Sequence, residues 1–197
     1  MDYSELKNNL LNCRICEELF GYEPRPVVQG QVDSKIMQIS QAPSLRVHKT
    51  GRPFDDASGK TLREEWYQIL DETFYDPDIF YITSVGHCFP GKSPNGGDKA
   101  PPKICAKTWL RKEMDYVNNE IYLIVGSYAA SFFFPKESLT SLVFQDKEIN
   151  GKPVFILPHP SPLNKKWLKD NPDFLNIRMK KVRTTIHNII DRTGTET

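Results

Sequence analysis

Residues able to do chemistry gather in two loops and one set of cysteines. The first loop runs from Gln41-Ala42-Pro43-Ser44 into Thr50-Gly51-Arg52-Pro53-Phe54-Asp55-Asp56-Ala57-Ser58-Gly59; the second is His159-Pro160-Ser161-Pro162-Leu163-Asn164. A carboxylate at Asp55 or Asp56 is suited to holding a water molecule or taking its proton. Its plainer use is to cap the helix that Ala57-Ser58-Gly59 should begin. Phe54 sits among polar neighbours, where its ring either stacks on a flat ligand or fills a gap in the core. In the second loop the prolines stiffen an extended backbone and aim the imidazole of His159, although a lone histidine can equally be a packed structural residue. Leu163, an apolar side chain among Pro162, Asn164, Lys165 and Lys166, either anchors its loop or projects as a wedge.

The four cysteines form two pairs, Cys13-x2-Cys16 and Cys88-x16-Cys105, the second flanking a Pro/Gly-rich stretch. Disulfides are not expected in a chain without an export signal. Four thiolates can instead hold a metal, and spacing alone leaves zinc and a [4Fe-4S] cluster both open. Either would pin the amino-terminal segment, about residues 1–20, to the Cys88–Lys103 loop.

Both loops need a scaffold. Four short apolar runs predict buried strands at Ile36–Ser40, Ile79–Thr83, Ile121–Val125 and Val154–Leu157, separated by helical patterns. One helix shows Leu62, Trp66, Ile69 and Leu70 on its apolar face; another shows Ile104, Trp109, Leu110, Met114 and Val117; the last and longest shows Phe174, Val182, Ile186, Ile189 and Ile190. Strands alternating with helices imply a three-layer α/β/α fold with a four-stranded, mostly parallel sheet. The two loops then hang from carboxyl ends of strands, the edge where open α/β sheets bind ligands. The stretch Cys88 to Lys103, rich in Pro and Gly, is the one long irregular segment, a type that is usually functional or mobile.

At 197 residues the chain fits a single domain spanning 1–197. A hydrophobic content of 39%, a polar Met1–Asn9 and no long apolar run predict a cytoplasmic protein without a membrane span. A monomer is the default. Net charge is only +1, yet Leu163 to Arg192 holds eight Lys or Arg against three Asp. A polyanion could bind that face, or it is simply a solvated surface.

Assembled in order, these motifs resemble the uracil-DNA glycosylase superfamily, specifically its iron–sulfur families four and five. The resemblance runs from Cys13 to about Trp167: the C-x2-C pair, the Ala-Pro loop, Thr-Gly-Arg-Pro-Phe with Asp-x-Ser-Gly, Cys88-Phe89-Pro90-Gly91, Cys105 near a helix start, and His-Pro-Ser-Pro-Leu. It implies that Cys13, Cys16, Cys88 and Cys105 bind [4Fe-4S] rather than zinc. It also implies a monofunctional enzyme that extrudes a uracil or other deaminated base from DNA and hydrolyses its N-glycosidic bond. On that reading His159 donates to the departing base, Asp56 orients water with Gln41 nearby, and Phe54, Ser84, Asp55 and Asn164 surround the base. Leu163 fills the gap in the duplex. Ser44, Gly126, Ser127, Ser161, Lys165 and Lys166 would meet the DNA backbone.

The chain departs from the family pattern twice. Gln41 stands where family four has Glu, and Ser84 where the superfamily usually reads the base with Asn. Hypoxanthine, xanthine or a damaged pyrimidine therefore stay beside uracil as substrates, and His87 either reads the base or lines the metal centre. The competing functions are a non-catalytic DNA-damage-binding protein on the same fold and, ranked last, a zinc hydrolase, which would need an open metal position.

Overall fold

Burial dictates the middle of the molecule. In the computed structural model, which describes residues 1–94 and 96–195, every residue of β1 (Ile36–Ser40), β2 (Phe80–Ser84) and β3 (Ile121–Val125) is buried. Strands buried on both faces need cover on each side, and these pair in parallel. The sheet order is β2-β1-β3-β5-β4, with β5 at Lys152–Leu157 parallel to β3. Because β2 lies on one side of β1 and β3 on the other, chain direction across the sheet reverses at β1. A crevice opens at the carboxyl ends there.

The sheet has five strands rather than four. β4 (Lys147–Ile149) pairs antiparallel with β5 through a hairpin at Asn150-Gly151, whose φ values are 53° and 72°. Asn-Gly with two positive φ angles is the favoured two-residue hairpin turn. β4 is short and only partly buried, so it carries no apolar signal of its own.

The helices pack on this sheet with two adjustments to their predicted faces: Leu70, expected on the apolar face with Leu62 and Trp66, is exposed beyond the helical stretch Thr61–Tyr67, and the second lies in the helix after Pro102. The helical stretch from Lys103 to Tyr116 contains a π-turn at Ala106–Leu110. The extra residue per turn rotates the preceding part of the helix, which leaves Ile104 exposed while Leu110 is fully buried. The carboxyl-terminal helix proper is Met179–Thr195, and Phe174 precedes it on another π-turn, its ring 5.0 Å from Trp66 in an edge-on packing. The amino-terminal helix Tyr3–Leu11, capped by Asp2, buries Leu6 and Leu10 with Trp109 in a small core separate from the main one. Among the described residues no helix is long and apolar enough to cross a membrane.

Candidate functional site

The crevice at the strand ends is a cleft of about 580 Å³, within the usual range for a small-ligand site. Ser40 and Gln41 reach it from β1, Ser84 from β2, Ser127 from the turn after β3, and His159 with Ser161, Leu163 and Asn164 from the loop after β5. Ser44, Phe54 and Asp56 close the side formed by the first loop. Ser40 and Ser84 are register partners across β1 and β2, and their hydroxyls meet at 3.2 Å on the floor.

His159 lies beside a glycine and its loop is braced by an amide. Gly126 takes φ 92° at the end of β3, and a Cβ there would sit 3.6 Å from the His159 Cβ and Cδ2. Asn164 Nδ2 donates to the His159 carbonyl at 2.6 Å and so braces the loop that carries the ring. Burial lowers the imidazole pKa below its ordinary value, with Asp56 and Asp98 partly opposing. The ring is neutral at pH 7 and offers one N–H.

Phe54 is held in a left-handed backbone conformation, φ 54°, which costs an aromatic residue roughly 1–3 kcal/mol. Its carbonyl accepts from Arg63 Nη1 at 2.9 Å, and Arg63, almost wholly buried, also binds Asp71 at 2.6 Å and the Tyr75 hydroxyl at 3.2 Å. Gly59 makes the turn possible, because a Cβ at that position would lie 1.8 Å from the Phe54 carbonyl oxygen. The ring stands edge-on to Phe74 at 6.2 Å and lines the cleft.

Asp56 performs its plainer role and retains capacity for another. One carboxylate oxygen accepts from the Gly59 amide at 3.0 Å as helix cap, and the other accepts from the Ser44 hydroxyl at 3.1 Å. A carboxylate has about four acceptor sites, so a water can still bind. Asp55 points elsewhere: its carboxylate lies 3.7 Å from Arg46 Nε, off the cleft. Neighbouring side chains of extended backbone face opposite ways, and Asp56 is extended at φ −150°. Gln41 borders the cleft with its amide 3.4 Å from the Lys99 carbonyl. Lys165 and Lys166 lie beyond the lining on the helix Lys165–Asp170, where Lys166 pairs with Asp170 at 2.6 Å. Leu163 is 92% exposed at the rim.

The polar lining residues Ser40, Lys92 and Asp98, with the apolar Val27 and Val47, are not marked by the sequence motifs. Lys92 and Asp98 pair at 2.7 Å across the Cys88–Lys103 loop, which folds over the cleft. That stretch carried the only available signal, its length.

All four cysteines line a second, apolar cavity with Leu10, Ile15, Phe20, Ile104 and Trp109. Burial pushes the Cys88 thiol well up, and the neighbouring Cys105, Cys13 and Cys16 push it further. Among the described residues no three His, Cys, Asp or Glu side chains are grouped so as to hold a single metal ion. The donor set is four sulfurs spread around one apolar hollow. Four sulfurs around one hollow fit a centre with four thiolate attachments. His87 lines this cavity rather than the cleft.

An α/β sheet with its ligand cleft at the strand-order reversal, floored by hydroxyls and flanked by an aromatic ring, an imidazole and a carboxylate, defines a class of site made for a flat polar ligand. The family model of the uracil DNA glycosylase superfamily matches residues 27–183, and the chain belongs to that superfamily. It is 28% identical over 193 residues to a Type-4 uracil-DNA glycosylase of Sulfurisphaera tokodaii, covering 88% of this chain and 82% of that protein. It is likewise 28% identical over 141 residues to a Type-4 uracil-DNA glycosylase of Thermotoga maritima, covering 70% of each.

Proposed function

We propose that this protein is a monofunctional DNA glycosylase that hydrolyses the N-glycosidic bond of uracil or another deaminated base. One observation carries the reading: His159, Phe54 and Asp56 face a single cleft whose rim bears a nearly fully exposed leucine. Superfamily membership and the relatives' activity support it. Extruding a nucleotide costs a few kcal/mol, which Leu163 in the vacated stack and Phe54 on the base offset, stacking being worth about 1–3 kcal/mol.

As the glycosidic bond breaks, electrons pass to the base and the sugar becomes cationic. The neutral His159 N–H donates to the developing anion, a preorganised contact worth about 10²–10³ in rate. Asp56 orients the water whose oxygen bonds to the sugar and whose proton is released. The lysine lining the cleft, Lys92, is paired with Asp98 rather than directed bare at the sugar, so base release without strand cleavage is expected. On this reading Ser44, Gly126, Ser127 and Ser161 would meet phosphates and Lys165 and Lys166 would add longer-range attraction, while Asn164 would act through its brace on the His159 carbonyl.

Cys13, Cys16, Cys88 and Cys105 would hold a [4Fe-4S] cluster, which supplies four covalent anchors for the amino-terminal segment. The partner is DNA carrying a damaged base, and the protein is taken to work as a cytoplasmic monomer. A second reading, a damage binder without turnover, draws on the two contacts already occupying Asp56 and on the amide at Gln41. Oligonucleotides containing uracil, hypoxanthine, xanthine or mismatched thymine, assayed for free base with the parent, His159→Ala and Asp56→Asn, separate the two. Release by the parent that both substitutions abolish or sharply reduce supports the enzyme, whereas binding without release by the parent supports the binder.

A further inference from the structure

One buried polar group takes no part in the chemistry of the cleft. Glu113, fully buried on the helix Arg111–Tyr116, accepts from the Tyr81 hydroxyl at 2.9 Å and the Thr83 hydroxyl at 3.0 Å, and its second oxygen lies 2.7 Å from His87 Nε2. His87 is 1% exposed. Its other ring nitrogen, Nδ1, lies 3.3 Å from Cys105 Sγ, and its backbone N–H donates to the same sulfur at 3.3 Å.

A buried carboxylate is costly unless paired and hydrogen-bonded, and even a satisfied buried ion pair is often no more stable than apolar packing. Stability alone therefore explains this group poorly. Its geometry has a direction, from carboxylate to imidazole to sulfur. That is the order in which a carboxylate orients a histidine beside a metal centre. Hydrogen bonds to ligand sulfurs stabilise the reduced, more negative state of an iron–sulfur centre and so raise its potential.

On the reading that the four cysteines hold a cluster, we propose that Glu113 and His87 are a positioning dyad for it: Glu113 accepts from the ring's Nε2–H and so aims the Nδ1–H at the Cys105 sulfur, raising the cluster's reduction potential and slowing iron loss. The test uses the full chain purified anaerobically, with iron and sulfide counted and both midpoint potential and iron release to a chelator measured. His87→Phe and Glu113→Gln should have a lower potential than the parent and should release iron about 10–100-fold faster, the usual range for an outer-sphere partner. Tyr81→Phe removes a donor from Glu113 without touching His87, and it should lower thermal stability while leaving the potential unchanged. Should His87→Phe fail to fold, the nearly isosteric Glu113→Gln decides. A cluster-bearing parent whose potential and release rate match those of Glu113→Gln overturns the dyad and leaves the cluster reading intact. A parent devoid of iron and sulfide after reconstitution overturns both.

Discussion

The cleft draws its walls from the ends of four parallel strands, whereas the cysteine cavity is bordered by the helix Tyr3–Leu11, whose Leu6 and Leu10 cluster with Trp109 apart from the main core. The first is complete in the protein's own atoms: Gly126 and Asn164 set His159, Arg63 and Gly59 set Phe54, and Asp56 is fixed at both oxygens. The second pairs little apolar area with four thiols, at least two of which, Cys16 and Cys88, burial pushes toward the neutral form. Only a cation turns such sulfurs into thiolates. One site is preorganised by the core; on the reading proposed above, the other is finished by a cofactor.

If the four cysteines hold the proposed cluster, stripping its metal should produce the largest and most local effect. Treatment with chelator and reductant, or Cys88→Ser, is expected to speed proteolytic nicking within residues 12–24 on the order of tenfold or more, because metal binding there is folding free energy. Amides of β1 and β3 should stay protected in hydrogen exchange; loss of protection throughout the sheet would show that the two regions fold as one.

Next in size is Gly59→Ala, a change that ordinarily stabilises a helix by up to about 1 kcal/mol. Here the new Cβ meets the Phe54 carbonyl at 1.8 Å. Backbone must move, so the sign should reverse to a destabilisation of about 1–3 kcal/mol or more in urea unfolding, together with loss of base release. Unchanged activity would mean that the Phe54 turn is not part of the site.

Much of this contrast is legible in the residues themselves. The parallel strands announce themselves as unbroken apolar runs, and His159 and Phe54 stand out because their neighbours are proline, serine and aspartate. What escapes notice depends on tertiary placement. β4 is marked only by the Asn150-Gly151 turn, since its own residues half face water. Ile104 fits the helical stripe until a π-turn rotates it outward. The Asp-x-Ser-Gly pattern favours Asp56 over Asp55, but only the extended backbone shows one going to Arg46 and the other to Ser44. Arg63 and Glu113 are charged residues on amphipathic helices, and nothing local shows that one holds the Phe54 carbonyl and the other a buried histidine.

Leu163 offers a sharper comparison, because its contribution to folding and its contribution to function should separate fully. At 92% exposure it buries almost nothing, and Leu163→Ala should change stability by less than about 0.5 kcal/mol. If it fills the gap left by an extruded nucleotide, base release from duplex DNA should fall while release from single strands, where no stack needs holding open, stays near the parent's. Equal losses on both substrates would reduce Leu163 to an ordinary surface contact.

The smallest effect is a slope against pH. His159 has a folded pKa below its ordinary 6.5, chiefly through burial, so the unfolded chain binds a proton more readily than the native one. Stability from this residue is fully present above pH 6.5 and is lost as pH falls through 6.5 toward the lower native value. His159→Asn should flatten that part of the curve of unfolding free energy against pH and leave the region above pH 7 parallel to the parent's. A slope of the same sign that survived in His159→Asn would belong to His48, whose pKa burial and Arg25 also lower, and not to the cleft.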